Sequence, residues 1–240
     1  MRMRAAIALL LIAAALAPAT ARAQPDDADP GTAREAPGET DCATTRMLSV
    51  LGLAALASAA SWDVDRDGEF ARRLETSPAA EIIDFGNTWG SGWVIGGGAI
   101  ATFVAGSLGG DAGMRALGAD LMRAYALSGL ATIVLKQAID RRRPSGGRYS
   151  FPSGHTSAAF GIVPVLDHHL GWRATAPALA LGVITAMGRM QGRHHYLSDV
   201  IFGAAVGWAA GDLVLRTRRP DEATGGVMLA PGAVGYAASF

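Results

Sequence analysis

The sequence predicts an all-α protein, a bundle of about six helices with its reactive groups at one end and a short C-terminal β-hairpin beyond it. Three observations predict this. Half of the 240 residues are hydrophobic and the mean hydropathy is +0.24, a high value for a soluble enzyme. The apolar residues fall in Leu- and Ala-rich runs of about 14–18 residues, near the lower limit for crossing a bilayer. The 31 glycines, in company with alanine, suit helices whose backbones approach closely. Formal net charge is zero, so nothing points to nucleic acid as a partner. The length fits one domain with a sizeable core.

Residues 1–23 read as a secretory signal. Arg2 and Arg4 precede the apolar stretch Ala5–Ala17, and Ala21-Arg22-Ala23 is a small-x-small cleavage site. The alternative is an uncleaved anchor helix, for which the apolar run is short. Either way, the residues that follow are expected to be exported. Residues 24–46 are rich in Pro, Asp, Glu, Gly and Thr without an apolar period, and read as a disordered leader. Cys42 is the only cysteine, so no internal disulfide can form; it reads as a free thiol.

The helical domain is expected over 47–219. Met47–Ala60 is a short apolar helix of Leu and Ala. Asp63-Val64-Asp65-Arg66-Asp67-Gly68 imitates the start of a calcium loop, but Leu74 stands where the closing glutamate belongs and Glu75 comes one place late. A turn into an amphipathic helix at 68–76 is the preferred reading. Thr88–Gly92 reads as a Gly/Trp-rich turn and Trp93–Leu108 as an apolar helix. Its Gly96, Gly97 and Gly98 each cost about 1 kcal/mol in water, which close helix contact would offset. Gly109-Gly110-Asp111 breaks that helix, and Leu117–Ile139 is the next, with Lys136 near its C-terminal end.

Arg141–Tyr149 is a basic turn. A helix should start at Ser153, because Pro152 cannot continue one backwards and serine is a natural N-cap. Two more helices are expected at about Ala174–Met187 and Ser198–Leu215, joined by a loop carrying Arg189–Tyr196, with Asp212 the one interruption of the last. After the basic tail Arg216–Pro220, residues 220–240 form a tail or hairpin: Val227–Leu229 and Val234–Phe240 flank Pro231-Gly232. No internal repeat is evident.

Three polar islands interrupt this apolar chain: Lys136 to Pro144, Phe151 to Thr156, and Gly188 to Asp199. Together they supply permanent cations, imidazoles, a carboxylate and a Gly-containing helix start, the inventory for holding a phosphate-like dianion and attacking it. Arg143 and Arg189 offer planar forks for bidentate phosphate contact and Lys136 a point charge. The helix start at Ser153 adds backbone N–H groups, with Gly154 letting an anion approach the main chain. Asp199, four residues after His195, is placed to reach its ring if a helix starts near Ser198. His194, five residues before Asp199, is turned away and reads as a solvated or supporting group. Arg141 and Arg142 read as membrane-surface or solvated charges, and His168-His169, about 20 Å along the helix from Ser153, as exposed and inert.

In this order the islands resemble the tripartite signature of the type 2 phosphatidic acid phosphatase and vanadium haloperoxidase superfamily: Lys-x6-Arg-Pro, Pro-Ser-Gly-His, and Ser-Arg-x5-His-x3-Asp. Lys136 with Arg143-Pro144 fits the first part, Pro152 to His155 the second, and Arg189, His195 and Asp199 the third. Gly188 stands where the family usually has serine, and the linker Ser145–Phe151 looks short for it. Three motifs in the right order make a specific signal, where Pro-Ser-Gly-His alone would not. The resemblance implies a metal-independent phosphatase without a cofactor. His195 would be the nucleophile forming a phosphohistidine, Asp199 would orient it, and His155 would be the general acid. Lys136, Arg143, Ser153, Gly154 and Arg189 would hold the phosphate.

The substrate expected is a phosphorylated lipid, as monoester or pyrophosphate, if the helices lie in a membrane, and a small phosphoester of a soluble periplasmic acid phosphatase if they do not. If Met47–Ala60 stays outside and five helices cross, Lys136, His155 and His195 face the periplasm and the tail 216–219 lies inside. A soluble periplasmic bundle satisfies the same parity. The rivals are a vanadium-dependent haloperoxidase, which the short loops and small single domain oppose, and a non-catalytic phosphate-binding protein, which the intact motif histidines oppose.

Overall fold

The computed structural model describes residues 37–63, 68–218, 226–230 and 233–237. The expected signal at 1–23, most of the leader and the centre of the calcium-like stretch lie outside the described residues. Eight helices are described: α1 (Pro37–Ala60), α2 (Glu69–Glu75), α3 (Ala80–Trp89), α4 (Gly92–Gly109), α5 (Ala112–Ile139), α6 (Gly154–Leu170), α7 (Trp172–Gln191) and α8 (Leu197–Arg216). Two strands, β1 (Gly226–Ala230) and β2 (Ala233–Ala237), follow. They pair antiparallel with Val227 opposite Tyr236 and Leu229 opposite Val234, the expected hairpin.

Several boundaries differ from the sequence expectation, each for a local reason. The helix α1 begins at Pro37 rather than Met47, proline being suited to the first turn of a helix. The end of the leader is therefore helical. Asp111, read only as part of a breaker, is the N-cap of α5 and accepts from Met114 N at 2.9 Å. That helix thus starts five residues before Leu117. Residues 80–89, for which no helix is expected, form α3. The last turn of α7 runs to Gln191, so Arg189 sits on a helix and not in a loop. The expected Ser153 N-cap is found, its Oγ accepting from Thr156 N.

Helix α8 is the axis of the bundle, buried along most of its length and packed against α1, α5 and α6. Its seam with α6 is made by glycine at every fourth position. A Cβ on Gly203 would stand 2.7 Å from Ser153 O, one on Gly207 2.1 Å from Ser157 O, and one on Gly211 2.3 Å from Gly161 O. Only hydrogen fits there, so backbone meets backbone. Helices α4 and α5 meet the same way, Gly106 against Arg115 and Gly118 against Phe103. The Gly96–Gly98 run does not work as expected: Gly96 packs on the Tyr125 ring, but Gly97 and Gly98 have nothing within 4 Å.

Helix α1 runs antiparallel to α8. Its Arg46 guanidinium lies 5.6 Å from the Trp208 ring centroid, and near its other end Ser58 Oγ donates to Ser198 O at 3.0 Å. Leu48, Leu53 and Leu56 on its outer side are exposed, as are Trp93, Ile100, Val104 and Leu108 on α4 and Leu130, Ile133 and Val134 on α5. Among the described residues, α4 and α8 are long and apolar enough to cross a membrane.

Candidate active site

The site forms where α6 and α8 begin side by side. Ser153 N donates to Asp199 O at 2.9 Å, which joins the second island to the third through the main chain. Ser153 is fully buried, and its hydroxyl accepts from Thr156 Oγ1 at 3.0 Å. Gly154 opens α6, and the first-turn amides of this helix are where an anion is favoured.

Asp199 lies in the first turn of α8, inaccessible to solvent, and both its oxygens are engaged. Oδ1 accepts from Arg141 Nη1 at 2.7 Å. Oδ2 accepts from Tyr196 N at 2.9 Å and from Ser150 Oγ in a short hydrogen bond. His195 Nδ1 stands 3.5 Å from the same Oδ2. This distance is longer than a closed hydrogen bond, and Nδ1 has no hydrogen-bond partner among the described residues. The i, i+4 spacing therefore does bring ring and carboxylate together. With Nδ1 on the carboxylate side, Nε2 is the ring nitrogen turned the other way. Burial pushes the His195 imidazole down to about 4, against the opposing pull of Asp199 and aided by Lys136 and Arg189. The ring is neutral at neutral pH.

The cations surround this pair. Lys136, near the end of α5, donates to Tyr149 O at 2.6 Å, and Arg143, Asp199 and Arg189 are within electrostatic reach of it. Arg189 is buried. Its Nη1 donates to Asn87 Oδ1 of α3 at 3.1 Å, while its Nε has no partner. Arg143 spends its Nε on Arg148 O at 3.1 Å; its terminal nitrogens carry no hydrogen bond among the described residues. His155, in the first turn of α6, feels the charges of Arg189, His195, His194 and Arg143. His194 is half-buried, its imidazole pushed down by burial and by Arg189 and Arg143. The three islands thus converge as the sequence requires.

Gly188 explains its own departure from the family pattern. A Cβ there would lie 2.5 Å from Ile83 O and 3.2 Å from Asn87 N. Helix α3 occupies the room a serine would need, and supplies Asn87 to Arg189 in its place. Gly86 seats the same contact from the other side, its missing Cβ 2.3 Å from Ile184 O.

From Lys136 and His155 an apolar cleft of about 540 Å³ runs between α4, α5 and α6. Leu130, Ile133 and Ala158 line it, and Tyr125 and Gly92 close one side. Leu130 and Ile133 are more than half exposed, so the cleft opens on the apolar flank of the bundle.

Two sequence readings are corrected here. Arg141 is not a solvated charge: besides Asp199 it donates to Ser198 Oγ at 2.5 Å and to Trp62 O at 2.7 Å, with the Trp62 and Tyr196 rings on it at 3.7 and 4.1 Å. Its spacing in the chain carries no mark of this. His169 is not exposed: its Nε2 is 2.8 Å from Oδ2 of the buried Asp120, and Arg218 reaches the same oxygen at 3.6 Å. That cluster closes the end of the bundle away from the site. Among the described residues no group of three or more His, Cys, Asp or Glu side chains is placed to hold a metal ion.

Residues 145–221 match the PAP2 superfamily model. A lipid A 1-phosphatase of Porphyromonas gingivalis is 35% identical over 82 residues, 32% of this chain and 18% of that protein. A lipid A 4'-phosphatase of Helicobacter pylori is 26% identical over 100 residues, 37% of this chain and 50% of that protein. The chain thus spans half or less of the length of these curated relatives. The crystal structure of Aquifex aeolicus LpxE superposes with a TM-score of 0.51 at 24% identity, over 58% of this chain and 87% of that one. The transmembrane PAP2-type phosphatidylglycerolphosphate phosphatase of Bacillus subtilis gives 0.51 at 22% identity, over 75% and 98%. At such identities the likeness is one of fold, and the all-α expectation holds.

Proposed function

We propose, on the premise that residues 145–221 place this chain in the PAP2 superfamily, that it hydrolyses the phosphate ester or pyrophosphate of a lipid through a phosphohistidine. One observation carries the reading: Lys136 and His155, which lie within electrostatic reach of the buried His195 and of Arg189, are among the residues lining an apolar cleft. A cation-lined pocket alone would serve a small phosphoester. An apolar cleft that opens on an apolar flank and carries Lys136 and His155 in its lining suits a substrate with a phosphate at one end and acyl chains behind it. The names of the relatives, phosphatases of lipid A, agree with that class.

In this mechanism Lys136, Arg143, Arg189 and the amides at the start of α6, from Gly154 on, hold the phosphoryl oxygens, where charge spreads in the transition state. Ser153 acts by capping that helix start. His195 Nε2 attacks phosphorus as the ester P–O bond breaks. His155 gives its proton to the leaving alkoxide, and Asp199 stabilises the imidazolium-like ring through Nδ1. Water then attacks the phosphohistidine while His155 takes a proton back, releasing phosphate and free His195. A bound dianion beside the ring favours the protonated form of His155.

We place the bundle in the membrane, with the site at its periplasmic end. In this placement α1, which lies along α8, crosses with α4 to α8, whereas the parity expectation left Met47–Ala60 outside. Residues 37 and 218 then share the cytoplasmic side with Arg216 and Arg218. This arrangement gives up cleavage after Ala23.

The test is turnover of phosphatidic acid, phosphatidylglycerophosphate, polyprenyl pyrophosphate, lipid A and p-nitrophenyl phosphate by the full chain in detergent. The expectation is a preference for lipid substrates, no effect of chelators, and no turnover in His195→Ala. Acid-labile label from a ³²P-labelled substrate should be trapped on wild type and absent from that variant. Retained activity in His195→Ala would overturn the mechanism. Bromide oxidation with vanadate and peroxide, without phosphatase activity, would overturn the reaction class.

A further inference from the structure

We propose that Arg141 is a positioning residue of this reaction: it fixes the Asp199 carboxylate against His195 and tempers its charge, and Trp62 clamps Arg141 in place. The inference rests on the phosphohistidine reading and assigns a role to one of the six unspecified positions between Lys136 and Arg143 of the first motif part.

The geometry is specific. The Arg141 side chain is one-tenth exposed and the Asp199 side chain not at all. One terminal nitrogen spans Asp199 Oδ1 and Ser198 Oγ, and the other bonds the Trp62 carbonyl. The planar group lies between the Trp62 and Tyr196 rings, a site that a flexible ammonium cannot fill equally. Trp62 is itself held by the Phe151 ring at 5.6 Å, which stacks on Phe202 at 5.1 Å. Trp62 belongs to the turn after α1, outside residues 145–221. A part of the chain that the family match does not reach thus completes the support of its carboxylate.

The division of the carboxylate gives the consequence. Arg141 takes Oδ1, which leaves Oδ2 to Ser150, Tyr196 N and the imidazole. The groups acting on His195 are Asp199 from α8, Lys136 from α5, Arg189 from α7 and His155 from α6, and Asp199 is the only anion among them. A guanidinium on that anion weakens its hold on an imidazolium. Without the guanidinium the carboxylate acts undiluted, and His195 keeps its proton to higher pH.

The test compares Arg141→Gln, Arg141→Lys, Trp62→Ala and the exposed neighbour Arg142→Gln in the full chain, with kcat and KM measured across the acid range. Arg141→Gln should lose kcat on the order of 10-fold to 100-fold with little change in KM, and its acid limb should move up by about one pH unit. Arg141→Lys keeps the charge, so its limb should stay while kcat falls by a smaller factor; Trp62→Ala should behave like it, and Arg142→Gln like wild type. An unmoved limb in Arg141→Gln, or a loss carried by KM, overturns the proposal. If Arg141→Gln does not fold, Arg141→Lys and Trp62→Ala decide it, and wild-type kcat in both overturns it. Activity surviving in His195→Ala would instead strike the underlying mechanism.

Discussion

Arg189 Nη1 donates to Asn87 Oδ1 at 3.1 Å across the contact of α7 with α3, and that contact exists because residue 188 is glycine. The nearest backbone atom to a Cβ there, Ile83 O, would be at 2.5 Å, and neither backbone can yield without separating the helices.

Restoring the family serine is therefore expected to harm this protein. Gly188→Ser should destabilise by about 1–3 kcal/mol, the cost of forcing extra atoms into a closed contact, and lower activity by shifting Arg189. Thermal unfolding in detergent checks the first expectation and KM the second. A stable, active Gly188→Ser would mean that α3 can move aside.

Asn87→Ala removes the acceptor that aims Arg189 and leaves Gly188 untouched. KM should rise on the order of 10-fold, the worth of about one well-aimed charged hydrogen bond, with melting shifted less than for Gly188→Ser. Arg189→Lys should cost more than Asn87→Ala, because an ammonium lacks the fork.

The depressed His195 imidazole gives a signed pH dependence. A ring at about 4 rather than the ordinary 6.5 stays unprotonated through the mildly acid range, so under the proposed mechanism the acid limb of kcat/KM should lie near its folded value. Stability runs in the same direction. Between those two values the unfolded chain binds the proton and the folded one does not, so this residue's contribution is complete above 6.5 and is lost as pH falls towards 4. His195→Gln should flatten that part of the stability profile in acid unfolding.

Cys42 offers a topology test, being the only thiol of the chain and near the start of α1, at the end opposite the site. In sealed cells an impermeant maleimide should leave it unlabelled, and should label Arg142→Cys in a Cys42→Ala background. The opposite pattern would turn the site to the cytoplasm, and labelling of both would show a bundle that does not cross.

The reactive groups are legible in the sequence because each sits in a short motif whose spacing maps directly onto geometry. Asp199 lies one helical turn past His195, and Ser153 caps the helix that presents His155. The helices that carry them are legible from apolar runs. Arg141 is not, since three consecutive arginines look alike in sequence and only the meeting of α1, α5 and α8 separates the middle, exposed one from its neighbours. Asn87 is hidden for a similar reason: residues 80–89 form a helix of only ten residues, and the role of Asn87 depends on a glycine about a hundred positions away. His169 looks like half of an exposed pair until Asp120, on another helix, is found beside it.

The glycine ladder of Gly203, Gly207 and Gly211 has one more implication. Where two helices touch through main chain, their offset is fixed by atoms that every residue shares, and no rotamer change can slide one past the other. Ser153 and Asp199 are bonded at the top of that ladder, so the backbones that carry His155 and His195 are held in register by peptide geometry. The exposed apolar surfaces of α4 and α5 lie off that ladder, so a change there leaves the offset of α6 and α8 untouched.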